Sequence, residues 1–314
     1  RPYCRKPATA RGERIPKKIR CLSSSGRATE QQKAQVILEL RQRFKLKWLL
    51  SYSRLPRSTF YYYLKASKTD KYCAVRQAIF ELYEQNKQRY GYRRITLELH
   101  KKGIVINHKT VLKLMKSLDI RGKQCKNEQY HSYKGEVGKV ADNILARDFT
   151  ASKPFEKLTT DITQFKVCNG KVYLSPVMDL YNREIIAYSV SLKPDLAQIR
   201  EMLQGLTDKL PEGATPIFHS DQGWQYQHEE YQRYLREHNI IQSMSRKGNC
   251  MDNGAMENFF GRLKVEMFYG EKFETVDEFV HRLREYIDYW NNERISLKLK
   301  GMSPVGYRTH YQAF

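Results

Sequence analysis

Long apolar runs and paired cysteines are both missing from this chain of 314 residues. No apolar run approaches the roughly 20 residues of a membrane span, and the basic first 20 residues lack the apolar core of a secretory signal. The six cysteines form no C-x-x-C pair and have no paired histidines beside them. Because the cysteines are scattered and lack such groupings, we expect neither a zinc finger nor a disulfide framework, and we expect a cytoplasmic protein.

What the chain does contain is a typical globular composition and a strongly uneven charge. Hydrophobic residues make up 40% and aromatic residues 12%, which predicts two or three folded domains. The formal net charge of +22 lies entirely in residues 1–150, whereas residues 151–314 are nearly neutral. Basic surface concentrated in one half is typical of a module that binds a polyanion such as DNA; the alternative is a solubilising tail.

The first basic segments predict a flexible arm followed by a helix-turn-helix domain. Residues 1–28 carry prolines and serines without periodicity, and residues 29–66 show two helical patterns, a tight turn and a third helix that starts after Pro56. Arg57 and Ser58 stand near the start of that last helix, where base edges are usually read, so we predict that they read DNA bases. An ordinary three-helix bundle is the alternative.

A second helix-turn-helix domain is predicted over residues 70–120. Between its first two helices, Arg93 and Arg94 follow two tyrosines, a grouping that suits phosphate contact and ring stacking. Asn107 is a good N-cap for the third helix, which carries Lys109 as a further DNA contact. Residues 121–154 lack clear periodicity and predict a linker.

Strand patterns begin at residue 155 and predict an α/β catalytic core over residues 155–270. Three antiparallel strands, the first spanning 158–167, precede alternating helices and strands, so we expect a mixed five-stranded sheet with helices. Asn169-Gly170 indicates a hairpin between the first two strands. Residues 271–314 form a helical tail around one clean amphipathic helix.

Three carboxylates of this core carry the functional prediction: Asp161, Asp221 and Glu257. The first lies in a strand pattern, the second closes an apolar run before Gln222-Gly223, and the third lies on an amphipathic helix. Carboxylates delivered from two strands and a helix can hold a pair of Mg²⁺ ions, or Mn²⁺ in their place, and such pairs cut or join phosphodiesters. Each residue alone could be an ordinary surface or turn residue; the set of three argues for a metal site.

Basic residues near these carboxylates are candidate DNA contacts. Lys264 lies seven residues after Glu257, which returns it to nearly the same helix face. Arg246 and Lys247 belong to a short basic loop with glycine. We interpret Asp252 mainly as a cap of the Glu257 helix, although it is the best rival as a metal ligand.

Several motifs together resemble the integrase-like Asp-Asp-Glu transposases of bacterial insertion sequences, most closely the IS-three group. The motifs are Thr160-Asp161-Ile162-Thr163, His219-Ser220-Asp221-Gln222-Gly223, Ser245-Arg246-Lys247-Gly248-Asn249 with Asp252-Asn253, Glu257-Asn258-Phe259-Phe260, and Tyr289-Trp290-Asn291-Asn292-Glu293-Arg294 with Pro304. Residues 30–65 and 70–118 resemble the helix-turn-helix regions that precede that core.

The resemblance implies an RNase H-like fold with Asp161, Asp221 and Glu257 as metal-binding catalytic residues. It also implies Mg²⁺-dependent DNA cleavage and strand transfer by a multimer on paired element ends, in association with the bacterial nucleoid. Fused members of this group usually carry a further upstream helix-turn-helix and a leucine zipper. Residues 1–28 show no heptad repeat, so we expect the downstream product alone or a truncated one.

Two other functions stay open at this point. A non-catalytic DNA-binding regulator would use the basic half alone, and a structure-specific nuclease would use the same core only to hydrolyse DNA. A tyrosine recombinase is disfavoured, because no Arg, His and terminal Tyr are grouped as that chemistry requires, despite 22 tyrosines.

Overall fold

The computed structural model describes residues 29–68, 71–124, 141–168, 170–246 and 250–312. The predicted basic arm, residues 125–140 of the predicted linker, Asn169 and Lys247 lie outside these residues. None of the helices described is long and apolar enough to cross a membrane. The chain divides into two compact units between Gln77 and Ala78. The finer domain boundaries expected from the sequence remain a prediction.

Residues 29–68 of the first unit form three helices in the order expected for a helix-turn-helix: α1 (Glu30–Leu40), α2 (Leu46–Ser53) and α3 (Arg57–Lys68). Thr29 begins α1 with a capping box in which Thr29 and Gln32 exchange hydrogen bonds. Arg54 ends α2 in the left-handed conformation, with φ of 52°, and so makes the tight turn before α3. The apolar faces of the three helices meet in one small core around Ile37, Leu49 and Phe60.

Three more helices open the second unit: α4 (Cys73–Gln85, across the division), α5 (Tyr92–Lys101) and α6 (His108–Ser117). Gly103 follows α5 with φ of 79°, and the Asn107 side chain accepts the Lys109 N–H at the start of α6, as the sequence predicted. Their shared core is fully buried at Ile79, Ile95 and Val111.

A mixed sheet follows these helices and confirms the predicted α/β class with an RNase H-like core. Its strands are β1 (Lys157–Thr160), β2 (Thr163–Val167), β3 (Gly170–Asp179), β4 (Ile185–Ser191), β5 (Ile217–Ser220) and β6 (Ile241–Met244). The strands β1 to β4 pair antiparallel around β3, while β5 pairs parallel with β1 and β6 parallel with β5. Antiparallel pairing on one side and parallel pairing on the other make β1 the centre of the sheet.

The sheet has six strands rather than the expected five because its first strand is interrupted. Both β1 and β2 pair with β3 in a single continuous register, so they are two halves of the predicted strand 158–167. Continuing that register places the interruption at Asp161 opposite Pro176, which has no N–H to donate to the ladder. The side-chain Oδ1 of Asp161 accepts the N–H of Ile162 at 2.7 Å. That backbone N–H is therefore bonded outside the ladder.

Helices cover this sheet and complete the unit. They are α7 (Leu196–Thr207), α8 (Trp224–Gln227), α9 (Glu229–Glu237), α10 (Gly254–Leu263), α11 (Val276–Asn292) and α12 (Pro304–Gln312). A 3-10 turn (Cys250–Asn253) precedes α10, a π-helical turn (Lys264–Phe268) continues it, and a second 3-10 turn (Leu297–Leu299) precedes α12. The main core is apolar and lies where α7 and α9 pack on the central strands, with Leu158, Met202 and Phe218 fully buried.

A serine at Gly122 should destabilise the second unit, whereas a serine at Gly91 should not. A Cβ at Gly122 would lie 2.6 Å from the backbone N of Gly91, while a Cβ at Gly91 would meet nothing within 4 Å. We expect Gly122→Ser to cost about 1–3 kcal/mol of unfolding free energy, because backbone must move. The matched variant Gly91→Ser should stay within about 0.5 kcal/mol, since Ser is a good N-cap. Urea unfolding measures both, and equal losses would contradict this packing.

Candidate active site

The parallel pairing of β1 and β5 brings the first two candidate carboxylates together. In its register Thr159 lies opposite His219. Asp161 and Asp221 each follow two residues later, so they leave neighbouring strand ends at the same edge of the sheet. Adjacent strands are about 4.8 Å apart, which leaves both side chains within reach of one shared ion.

Asp221 is held in place by the turn that follows β5. Its Oδ1 accepts the N–H of Gly223 at 2.9 Å. A Cβ at Gly223 would lie only 3.0 Å from the same oxygen, so glycine permits the close approach that orients the carboxylate. The Gln222 side chain donates to the carbonyl of Ser245 at 3.0 Å and ties this turn to the next loop.

Glu257 reaches the same edge because a buried amide docks α10 on β1. The side chain of Asn253, 4% exposed, accepts the hydroxyl of Thr159 at 2.6 Å and donates to the carbonyl of Thr160 at 3.1 Å. Residues four apart on a helix share a face. Glu257 therefore lies one turn beyond Asn253, on the side that faces Asp161.

Burial raises the pKa of all three carboxyl groups, and neighbouring negative charge adds to this for Asp161. For Asp161 the largest cause is burial, followed by the charge of Asp221 and, more weakly, that of Glu257. Burial is also the main cause of the raised pKa of Asp221 and of Glu257. Lys264 acts in the opposite direction and lowers the pKa of Asp161, so the predicted basic neighbour does lie near the cluster.

The three carboxylates suit a divalent cation by their chemistry, although they are not drawn tightly together. Within the described residues none of them forms an ion pair, and the bonds from Ile162 and Gly223 occupy only one oxygen each of Asp161 and Asp221. No three acidic, histidine or cysteine side chains in these parts of the chain are already grouped as a metal centre. Asp161 interacts with both other carboxylates and is therefore the central member of this open arrangement.

Asp252 was the rival metal ligand. The structure excludes it because its carboxylate is already paired with two arginines. Its fully buried carboxylate accepts from Arg147 at 2.7 Å and from the side chain and backbone of Arg246 at 3.0–3.1 Å, with Asn143 adding a bond at 3.0 Å. The hydrogen bonds from Arg246 hold its pKa well below the usual range. The interpretation of Asp252 as a helix cap is also wrong, because these partners lie in two loops and Asn253 begins the helix.

A buried histidine supports the strand that carries Asp221. Ser243 Oγ accepts the N–H groups of Ile144 and Leu145 at 3.0 and 3.2 Å. Because Oγ accepts both of these bonds, the Ser243 hydroxyl donates its hydrogen to Nδ1 of His219, at 2.9 Å. Burial lowers the pKa of His219 to about 4, so the ring is neutral at pH 7 and joins β5 to β6 without adding charge.

Comparison with known proteins gives the family. The integrase core domain models match residues 151–250 and 257–311, and an HTH-like domain model matches residues 73–128. InsK of Escherichia coli (strain K12), assigned as a transposase for insertion sequence element IS150, is 52% identical over 275 residues, covering 87% of this chain and 97% of InsK. The chain belongs to the insertion-sequence transposases with an integrase core.

Further relatives of this transposase lie at lower identity. The transposase InsF for insertion sequence IS3A of Escherichia coli (strain K12) is 34% identical over 227 residues, covering 72% of this chain and 79% of InsF. Among solved structures, the HTLV-2 integrase catalytic core domain in complex with magnesium is 14% identical, with a TM-score of 0.37, and covers 50% of this chain and 97% of that one. The resemblance to the IS-three group and the DNA-recombining function it implied are thus confirmed.

Four of the predicted DNA contacts of the transposase are exposed, two in each unit. Arg57 and Ser58 are exposed at the start of α3 in the first unit, and the guanidinium of Arg57 lies 5.7 Å from the ring centroid of Tyr61. In the second unit Arg93 and Lys109 are exposed near the starts of α5 and α6.

Two other predicted contacts are placed differently, and a third, Lys247, lies outside the described residues. Arg246 is exposed but bonded to Asp252. Arg94 turns inward: its side chain is 18% exposed and pairs with Glu266 at 3.5 Å, a placement that does not support the expected phosphate contact.

Sequence reasoning missed the residues that position the carboxylates. Asn253 docks α10 on β1, and Asn143 and Arg147 hold Asp252 from a segment expected to be a linker. The motif containing Asp252 and Asn253 was visible in the sequence, but its partners are about 90 to 110 residues away and no local pattern identifies them.

Replacing Asp161 by Asn should stabilise the metal-free transposase at neutral pH. A carboxyl with a raised pKa binds more protons folded than unfolded, so its stability cost is complete above the folded pKa and disappears below about pH 4. We expect Asp161→Asn to raise Tm by about 2–5 °C at pH 7 in chelator, with a gain that shrinks as the pH falls toward 4. The exposed control Asp277→Asn should change little. A lower Tm for Asp161→Asn at pH 7 would contradict the crowding described here.

Proposed function

We propose that this chain cleaves the ends of its insertion sequence and joins them to target DNA, with Asp161, Asp221 and Glu257 as the catalytic and metal-binding residues. The observation that carries the proposal is the meeting of all three at one sheet edge, through the β1–β5 register and the Asn253 contact. The electrostatics of Asp161 support it, since its pKa is raised by burial and by the charges of Asp221 and Glu257, and carboxylate oxygens gathered without arginine partners are suited to bind cations.

The proposed site would hold two Mg²⁺ ions, with Mn²⁺ able to substitute. When bound, such a pair activates the attacking oxygen and stabilises the leaving oxygen of the phosphodiester. Asp161 would contribute to both positions, with Asp221 completing one and Glu257 the other. Because the cluster is open, ion binding would draw Glu257 toward Asp161. Lys264, beside the cluster, would neutralise a phosphate of the bound DNA.

The basic half would supply the DNA-binding surface. Arg57 and Ser58 are proposed to read bases from the start of α3, and Arg93 and Lys109 to contact the phosphate backbone from the second unit; all four are exposed. Arg246 and Lys247 would approach DNA from the loop before α10. We further propose that the protein acts as a multimer on paired terminal repeats and associates with the bacterial nucleoid.

Conservative substitution of each carboxylate tests the catalytic assignment. Asp161→Asn, Asp221→Asn and Glu257→Gln should each lower strand transfer more than about 100-fold, because each removes a metal ligand without changing shape. DNA binding should survive, since the basic surface is untouched. The measurement is a product assay with duplex DNA carrying an end of the element that encodes this chain.

The controls separate the alternatives. Asp277→Asn removes an equivalent charge from an exposed position of α11 and should keep full activity. Wild-type protein that only hydrolyses the DNA would identify a nuclease, and wild-type protein that binds but never nicks with Mg²⁺ or Mn²⁺ would identify a regulator. Full joining by all three variants would refute the assignment.

Metal binding can be measured without DNA. Saturating Mn²⁺ should raise the Tm of wild-type protein, because a ligand that binds only the folded state stabilises it. At about 100 times the dissociation constant the gain corresponds to ~2.7 kcal/mol. Asp161→Asn should lose most of this increase, since Asp161 is proposed to serve both ions. An equal Mn²⁺-induced shift in the variant would place the ions elsewhere.

A further inference from the structure

Glu266 is a buried acid at the centre of a polar network outside the active site. Its side chain is 1% exposed and lies in the π-helical turn that continues α10. The carboxylate accepts two bonds from Arg294, at 2.7 and 2.9 Å, and one from the hydroxyl of Tyr286 at 3.0 Å. Arg94 of α5 completes the set at 3.5 Å, so one carboxylate joins elements almost 200 residues apart in sequence.

The backbone of Glu266 is bonded by residues that flank α5 and α6. Its carbonyl oxygen accepts from Arg89 at 3.3 Å and from Lys123 at 3.4 Å. The Arg89 guanidinium also lies 4.4 Å from the ring centroid of Tyr289 on α11. Residues before α5 and after α6 therefore both bond to the Lys264–Phe268 turn.

A buried tyrosine adds a direct backbone link. Tyr90 is 1% exposed, and its hydroxyl accepts the N–H of Ile295 at 3.1 Å. The Arg94 guanidinium lies 5.2 Å from the centroid of the same ring. Together these contacts form a junction. We define it as Arg89, Tyr90, Arg94 and Lys123 on one side and Glu266, Tyr286, Arg294 and Ile295 on the other.

The charges in the junction are mutually dependent. Burial alone would raise the pKa of Glu266, but the bonds and charge of Arg294 and the charge of Arg94 outweigh it and lower the pKa. Arg94, in turn, is desolvated beside Arg294 and has a lowered pKa. A buried charge without its partner is strongly unfavourable, so Arg94 is bound inward and is not available to a phosphate.

The junction is connected along the chain both to the proposed DNA surface and to the proposed active site. Glu266 lies two residues after Lys264 and nine after Glu257 on the same continuous helical run. Arg94 lies beside the exposed Arg93 on α5, and Lys109 lies in the first turn of the neighbouring α6. The helix that carries the third carboxylate is therefore fixed directly to the helices that would hold DNA.

We propose that Arg94 and Glu266 are positioning residues that lock α5 and α6 to the Glu257 helix, so that DNA held on α5 and α6 is presented to the carboxylates at a fixed distance. The inference rests on the proposed function and adds a role for a side chain expected to contact DNA. Two adjacent arginines thereby have different roles, since Arg93 binds DNA and Arg94 sets where that DNA lies.

Matched substitutions of the two arginines test this division of roles. Arg93→Gln should weaken DNA binding and its salt dependence, a loss that more DNA restores. Arg94→Gln should leave the dissociation constant for duplex DNA within about twofold, but lower the nicking rate at saturating DNA about tenfold or more and spread the cleavage positions. Arg94→Lys, which keeps a charge for Glu266, should recover part of that rate.

Hydrogen exchange on the DNA-free protein gives a readout independent of activity. Arg94→Gln should speed amide exchange in both α5 and the Lys264–Phe268 turn, whereas Arg93→Gln should speed neither. If Arg94→Gln does not fold, the same comparison is made with Arg94→Lys, which should show a smaller change in both segments.

The outcomes distinguish the inference from the function on which it rests. If wild-type protein never nicks DNA, the proposed function fails, and the exchange data still decide whether the junction locks the helices. If Arg94→Gln loses DNA affinity as Arg93→Gln does and recovers fully with excess DNA, Arg94 is a phosphate contact and the inference is overturned. Unchanged exchange in both segments also overturns it.

Discussion

The parallel register of β1 with β5 is the constraint on which the rest of this transposase depends. It places Asp161 and Asp221 after neighbouring strand ends, two residues beyond the paired Thr159 and His219. A shift by one residue would send one of the carboxylates to the opposite face of the sheet. The third carboxylate has no strand to fix it and depends on Asn253, whose amide is bonded to β1 itself. Geometry at one sheet edge thus controls all three.

Two buried acids of the second unit, Asp252 and Glu266, differ from the three candidate ligands in their partners. Asp252 is bonded by Arg147 and Arg246, and Glu266 by Arg294 and Arg94. These arginines hold the pKa of both acids below the usual range, so the two serve as fixed joints between segments. The three candidate ligands have raised pKa values instead, and none of them forms an ion pair with an arginine in the described parts of the chain. Lys264 offsets only part of the raised pKa of Asp161.

Much of this arrangement could be predicted from local sequence pattern. The Asn107 cap, the turn at Arg54 and the strands that carry Asp161 and Asp221 were all predictable, because caps, turns and alternation are properties of neighbouring residues. The interruption at Asp161 was not, since it depends on which residue of another strand, Pro176, lies opposite. The inward orientation of the Arg94 side chain could not be predicted for the same reason, because its partner Glu266 is 172 residues away. Long-range pairing decides these features, and periodicity does not record it.

The central claim is that one acidic cluster holds two divalent cations where DNA is cut. It is tested most directly by the anomalous scattering of crystals grown with Mn²⁺. We predict two peaks, one between Asp161 and Asp221 and one between Asp161 and Glu257, separated by about 3.5–4 Å. A peak at Asp252, or no peak within bonding distance of Asp161 at saturating Mn²⁺, would contradict the account.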